Sequence, residues 1–381
     1  MTSIVVDRDA PRAIGTLLER ETGTSATDRV ASEFMVTEQQ YSGEPVSAAF
    51  RRLDAELYAR EAKLLGLMIY GALETRLEIE RAMREGLGRE DWPVTWIDAP
   101  SCGGLALAGA QAFAVSGRPV TRVRLGNRVV GSVFEDGGAR HCFLGGIGPS
   151  AIGLQVAAQT QQTLGNLEWA LGLADFKLSD VVRTWFYNDD ILAWYGEFNR
   201  VRSAHYANVP WRTGSLPAST GIGARNPAGA ALVMGAWAMQ PIDPAASARE
   251  IGSPLQCPAP AYGSSFSRAM ELCSGGLRRL FVSGTASIHP DGKTAWVGDM
   301  EMQVALTMEV VGEILRSRKM NYHHVTRATA YFRDASDKHY FDRWCDSRHL
   351  SDLPVVALPA VVCRDDLLFE IELDAIAPLN G

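Results

Sequence analysis

The chain is poor in the arrangements from which familiar ligand sites are built. Its six cysteines (Cys102, Cys142, Cys257, Cys273, Cys345, Cys363) include no CxxC or CxxxxC pair, which argues against a zinc ribbon or a thioredoxin-like centre. The histidine pair His323-His324 is adjacent rather than one helical turn apart, so no metal is expected. No apolar run approaches the roughly 20 residues that span a bilayer, because Leu64 to Tyr70 is interrupted by Gly66 and followed by Gly71. The opening MTSIVVDRDAPR lacks the basic-then-apolar order of a signal peptide, so the expectation is a soluble, cytoplasmic protein with no membrane partner. A basic excess is also missing: 37 Lys and Arg stand against 44 Asp and Glu, a net charge of -7. That balance argues against a nucleic-acid binder but not against a small anionic ligand, which a few buried arginines can hold. GGIGP and TGIGA carry no acidic residue at Rossmann spacing, and neither GxSxG nor a Walker sequence occurs. No cofactor is expected.

What the chain does have is apolar bulk and an internal repeat. With 381 residues, 46% of them hydrophobic, it is long enough for two or three domains. Residues 1–45 are polar and read as a loose arm. From Ala48 to Leu87 apolar residues recur at helical spacing, predicting one or two amphipathic helices with a break at Gly71. Strand-like runs follow around WPVTWID, AGAQAFAVSG and VTRVRL. Two later stretches then match at a constant offset. Gln159 pairs with Gln303, Thr163 with Thr307, Leu164 with Met308, Val181 with Val325, Arg183 with Arg327, Tyr187 with Tyr331 and Asp190 with Asp334. Each copy opens on a glycine-containing apolar strand (CFLGGIG; LFVSGTASI). Helix, strand, helix and Pro-led strands follow, so the pattern predicts an α+β fold of two modules in tandem.

The segments PAYGSSFSRA, LFVSGTASI, VTRATAYFRD and LLFEIELDAIA resemble the YjgF/RidA small-molecule-binding fold, which is chorismate-mutase-like. Two such modules behind an N-terminal extension, with WYGEFNRVR, PASTGIG and CRDDLLFEIELDAI, resemble the chorismatases. The division expected is 1–135 for the arm and helical/β head, 136–255 for the first module, and 256–381 for a second carrying the catalytic acid. The resemblance implies cleavage of the enolpyruvyl ether of chorismate to pyruvate and 3-hydroxybenzoate, with some 4-hydroxybenzoate. Hydrolysis to a dihydroxycyclohexadiene carboxylate, or a non-catalytic RidA-like binder of small acids, are the alternatives. The single-module relatives are trimers, so either a monomer or a homotrimer is expected.

Cleaving a vinyl ether at neutral pH requires an acid of raised pKa to protonate its terminal carbon, and cations to hold the substrate carboxylates. In LLFEIELDAIA, Glu370, Glu372 and Asp374 alternate, which places all three on one face of a strand. Taken alone, such a run is the pattern of a solvated strand face. By spacing from Cys363, Glu370 resembles the chorismatase acid, whereas alignment on the terminal AIA selects Glu372; Glu370 ranks first and Glu372 second. Cys363 itself, and Gly276 in LCSGGLRRLF, resemble the aromatising branch of the family, Cys363 as a residue assisting the opening of an epoxide-like intermediate. Arg202 and Tyr206, four apart on a predicted helix, are candidates for binding substrate, as are Tyr195, Arg268 and Arg333. For any one of these arginines taken alone, a surface ion pair is the commoner explanation. Ser219 and Thr220 occupy the place where single-module proteins carry a ligand-binding arginine, and Val356 stands there in the second module.

Overall fold

The computed structural model describes residues 32–88 and 91–379. Its first unit runs β1 (Ser32–Glu38), α1 (Val46–Ala59), β2 (Ala62–Gly71), α2 (Arg76–Leu87), β3 (Val94–Asp98) and β4 (Leu107–Ser116). These strands form a sheet in the order β1-β4-β2-β3. The second unit is β5 (Thr121–Leu125), β6 (Arg128–Glu135), β7 (Ala139–Ile147), α3 (Val156–Leu173), β8 (Val181–Asn188), α4 (Ile191–Tyr206), β9 (Ala218–Gly223) and β10 (Leu232–Pro241). Its sheet order is β5-β6-β7-β10-β8-β9. The third comprises β11 (Ser247–Ile251), β12 (Ala269–Ser274), β13 (Leu277–Ala286), α5 (Met300–Ser317), β14 (Val325–Phe332), α6 (Lys338–Asp346), β15 (Val355–Pro359) and β16 (Phe369–Pro378). Here the order is β11-β12-β13-β16-β14-β15.

The last four strands of each order repeat one topology. Among the described residues, the only parallel strand pair in each unit is the one joined across a helix: β2 with β3, β8 with β9, β14 with β15. The α+β tandem of YjgF/RidA-like modules is therefore present, and the head is a third, shorter version of the same unit. Two boundaries move with it. Strands β5 and β6 precede residue 136 yet extend the second sheet, and β11 precedes residue 256 yet pairs with β12.

The matched residues of the repeat do matching work. Gln159 Nε2 donates to the carbonyls of Ile152 and Leu154 while its Oε1 accepts from Ala231 N. Gln303 Nε2 likewise donates to Trp296 and Asp366 carbonyls, and its Oε1 accepts from Leu368 N. Each glutamine thus ties its helix to the loops at one end of its own sheet. In α5, Val304, Met308, Val311 and Leu315 recur at one-turn spacing and are buried against the sheet.

Helices cover one face of each sheet with three separate apolar clusters. A fourth cluster draws on all three units, including Tyr70, Phe113, Trp185, Trp237 and Tyr331. The helix-free faces therefore meet at a common axis. Tyr70, Tyr187 and Tyr331 hold equivalent positions on β2, β8 and β14, and the Tyr70 hydroxyl lies 3.4 Å from those of Tyr187 and Thr329.

Two expectations for the head need correction. The stretch 62–71, read as helix from its apolar spacing, is the central strand β2. It is buried on both faces, so alternation is lost and LLGLMIY reads as a continuous apolar run. Its Gly66 lies against the Phe143 ring, which a Cβ would overlap. The expected arm over 1–45 ends by residue 32, where β1 begins to pair with β4; residues 1–31 lie outside the described residues.

Candidate functional site

Between the second and third units a cavity of about 270 Å³ opens. Unit two supplies one wall through α4 and β9; unit three supplies the other through β13, β16 and the loops around Tyr262 and Cys363. Glu370 lies on the wall. It is 5% exposed, while Glu372 and Asp374 are 0% and 1% exposed, so the three acids do share a face but not a solvated one. Burial, then repulsion from Glu372, pushes the Glu370 carboxyl up to about 8, against weaker pulls from Arg183 and Arg268. Gly284, on the neighbouring strand β13, makes room for it: a Cβ there would overlap Glu370 Oε1.

Glu372 is set apart from the cavity by its donors. Its Oε2 accepts from Thr220 Oγ1 at 2.6 Å and from Arg183; its Oε1 accepts from Arg327 at 3.0 Å and the Tyr331 hydroxyl at 3.3 Å. Burial alone would raise this carboxyl, but Arg327 and Arg183 hold it below the usual range. A carboxylate with four donors and no access to the cavity cannot deliver a proton there. Of the two candidate acids, the geometry leaves Glu370 facing the cleft.

Three arginines line the cavity, and among the described residues each is engaged only with neutral groups. Arg202 Nη2 donates to Asn199 Oδ1 at 2.7 Å, its Nε is buried without a partner, and its guanidinium stacks 4.9 Å over Phe198. Arg268 places two N–H groups on the Cys257 carbonyl, at 3.0 and 2.9 Å. Arg364 donates to the Gly292 carbonyl at 2.8 Å. The Tyr262 ring lies 5.3 Å from each of the last two guanidiniums. Cations that lack carboxylate partners form a ready seat for an anion. Tyr195, Ser219 and Cys363 also line the cavity. Burial, then Glu370, pushes the Cys363 thiol up to about 12.

Besides Glu372, four residues singled out from the sequence lie off this wall. Tyr206 is on the same helix face as Arg202, as its spacing predicts, but that face is the core and its ring packs edge-on to Trp211. Thr220 lies behind the wall, where its hydroxyl bridges Glu372 and the Gly284 N–H. Arg333 holds the wall from outside, donating to the Arg364 carbonyl at 3.1 Å and pairing with Asp365. Gly276 sits at the β12–β13 turn with φ +79, one full strand of roughly 30 Å from the Ala286 end of β13 that borders the cavity. It cannot contact a ligand there. Sequence reasoning missed Arg364, Tyr262 and Gly284; Arg364 directly follows Cys363, and Gly284 is the glycine of LFVSGTASI.

The equivalent positions in the other units carry no acid. Tyr331 pairs with Glu370, but Tyr187 pairs with Val233 and Tyr70 with Gly109. Where Thr220 stands in unit two, Val356 stands in unit three, and a Cβ on Gly109 would strike it. Among the described residues no group of three or more His, Cys, Asp or Glu could hold a metal ion, and no helix is long and apolar enough to cross a membrane.

No family model matches the chain. Over 229 residues it is 28% identical to a 3-hydroxybenzoate synthase of Streptomyces hygroscopicus, covering 52% of this chain and 64% of that protein's length. A solved chorismatase superposes with a TM-score of 0.65 at 20% identity, over 91% of this chain and 99% of its own. The YjgF gene product of E. coli, also solved, aligns with 32% of this chain and 93% of its own at 23% identity, with a TM-score of 0.26.

Proposed function

We propose, on the premise that this chain has the fold of the chorismatases, that it cleaves the enolpyruvyl ether of chorismate, releasing pyruvate and 3-hydroxybenzoate. One observation carries the reading: a buried glutamic acid, Glu370, faces a cavity whose three arginines have only neutral partners among the described residues. With a pKa of about 8, Glu370 is about nine-tenths protonated at pH 7. It is then an acid strong enough to act and still holding its proton.

In this reading Arg202, Arg268 and Arg364 hold the two carboxylates of the substrate. Glu370 gives its proton to the terminal methylene carbon of the vinyl ether. The resulting oxocarbenium is relieved as the ether carbon–oxygen bond to the ring breaks, and pyruvate leaves. The ring's own hydroxyl oxygen gives up its proton to solvent as it bridges to the carbon so vacated, and the bridged ring opens to the phenol by gaining a proton at that oxygen and losing one from a ring carbon. Glu370, now a carboxylate, is reprotonated by solvent. The two products together contain the atoms of the substrate and nothing more. A thiol held near 12 remains a thiol at neutral pH, so Cys363 serves as a proton donor to the opening ring rather than as a thiolate nucleophile.

Incubating the protein with chorismate and resolving the products tests this. Pyruvate with 3-hydroxybenzoate supports the reading, and a share of 4-hydroxybenzoate would assign a second opening direction. Pyruvate with a dihydroxycyclohexadiene carboxylate would mean that water captures the intermediate. Saturable binding without pyruvate would end the enzymatic reading.

A further inference from the structure

The helix-free face of β16 turns toward the axis where the three units meet, and it carries a closed set of charges. Arg183 from β8 and Arg327 from β14 face Glu372 and Asp374, two cations against two anions, all at most 1% exposed. Glu370 is the next acid along that face, two residues from Glu372. Side chains at that spacing lie about 7 Å apart, so a second unpaired charge beside Glu372 would leave the buried set unbalanced. The donors decide which of the two is ionised: four converge on Glu372. A single hydroxyl links the pair, because Thr220 Oγ1 donates to Glu372 and accepts from the N–H of Gly284, the residue against which Glu370 Oε1 rests.

We infer that Glu372 is a positioning residue: its carboxylate, fixed by Arg183, Arg327 and Thr220, is the standing negative charge that keeps Glu370 in its acid form. This deepens the proposed function and rests on Glu370 as the proton donor. Other groups facing Glu370 cannot replace it. Cys363 from the loop that precedes β16 and Tyr195 from α4 are neutral at working pH, both pushed up chiefly by burial. Arg183 and Arg268 are cationic and favour ionisation of Glu370. Glu372 is the near group that opposes it.

The pH dependence of kcat/KM separates tuning from mere support. In wild type the rate should fall as pH rises through about 8, as Glu370 loses its proton. Glu372→Gln removes the opposing charge, so the alkaline limb should move to lower pH by about one unit. Glu372→Asp keeps the charge and should leave the limb in place, whatever it does to kcat. A limb that stays put in Glu372→Gln while kcat drops at every pH would overturn the inference. Should the neutral variant not fold, infrared titration of the wild-type protein with isotope-labelled glutamate decides the matter without turnover. The inference requires a buried protonated-carboxyl band at pH 7 that fades through about 8 and is absent from Glu370→Gln. A band that fades through about 8 and persists in Glu370→Gln would mean that a glutamate other than Glu370 holds the proton, and would overturn it. Because the band needs no substrate, this result is independent of whether chorismate is the natural one.

Discussion

Gly284 and Glu370 sit on adjacent strands so close that the glutamate carboxyl occupies the space a Gly284 side chain would fill. Glu370 Oε1 is the far end of a flexible side chain, so Gly284→Ala should displace the acid rather than unfold the sheet. We expect a loss of activity of about a hundredfold or more with a cost in stability of about 1–3 kcal/mol, measured by steady-state kinetics and denaturant unfolding.

The sign of the pH effect follows from a raised pKa. Between 4.5, the ordinary value, and about 8, an unfolded chain has released the Glu370 proton while the folded one retains it. The folded state therefore binds more protons, and Glu370 costs stability progressively as pH rises through that window. Glu370→Gln should melt higher than wild type at pH 9 and close to it at pH 4, read from Tm at both. Activity in wild type should fall over the upper part of the same window.

Cys363 tests the division of labour in the cleft. A thiol pushed up to about 12 should resist alkylation at pH 7.5 relative to an ordinary cysteine, followed by mass spectrometry of that peptide. Cys363→Ala should still release pyruvate but change the ratio of aromatic products, resolved by chromatography.

Arg364→Met should weaken substrate binding by about ten- to a hundredfold, raising KM more than it lowers kcat. Arg333→Met should do the same more mildly, because Arg333 holds the Arg364 backbone rather than the cavity itself.

Much of this was legible in the sequence where residue type and repeat agree. The offset that pairs Gln159 with Gln303 and Arg183 with Arg327 marked two units because both residues of each pair do the same physical work. The head escaped that comparison because, of the axial residues matched between the later units, it keeps only the tyrosine, as Tyr70, and its buried strand has no alternation to read. Glu370 could be ranked but not separated from Glu372, since strand alternation puts both on one face. What distinguishes them is donors from other units, such as Thr220 and Arg183, which no local pattern reveals. Gly276 was misplaced for a related reason: a glycine at a turn and a glycine beside a ligand look alike until the strand between them is laid out.

The central claim is a proton transferred to carbon, and the cleavage of chorismate in deuterated water tests it most directly. If Glu370 protonates the terminal methylene, the pyruvate released will carry one deuterium in its methyl group, and Glu370→Gln will release almost none. Pyruvate formed at the wild-type rate by Glu370→Gln, or pyruvate whose methyl group carries no solvent deuterium, would contradict the account.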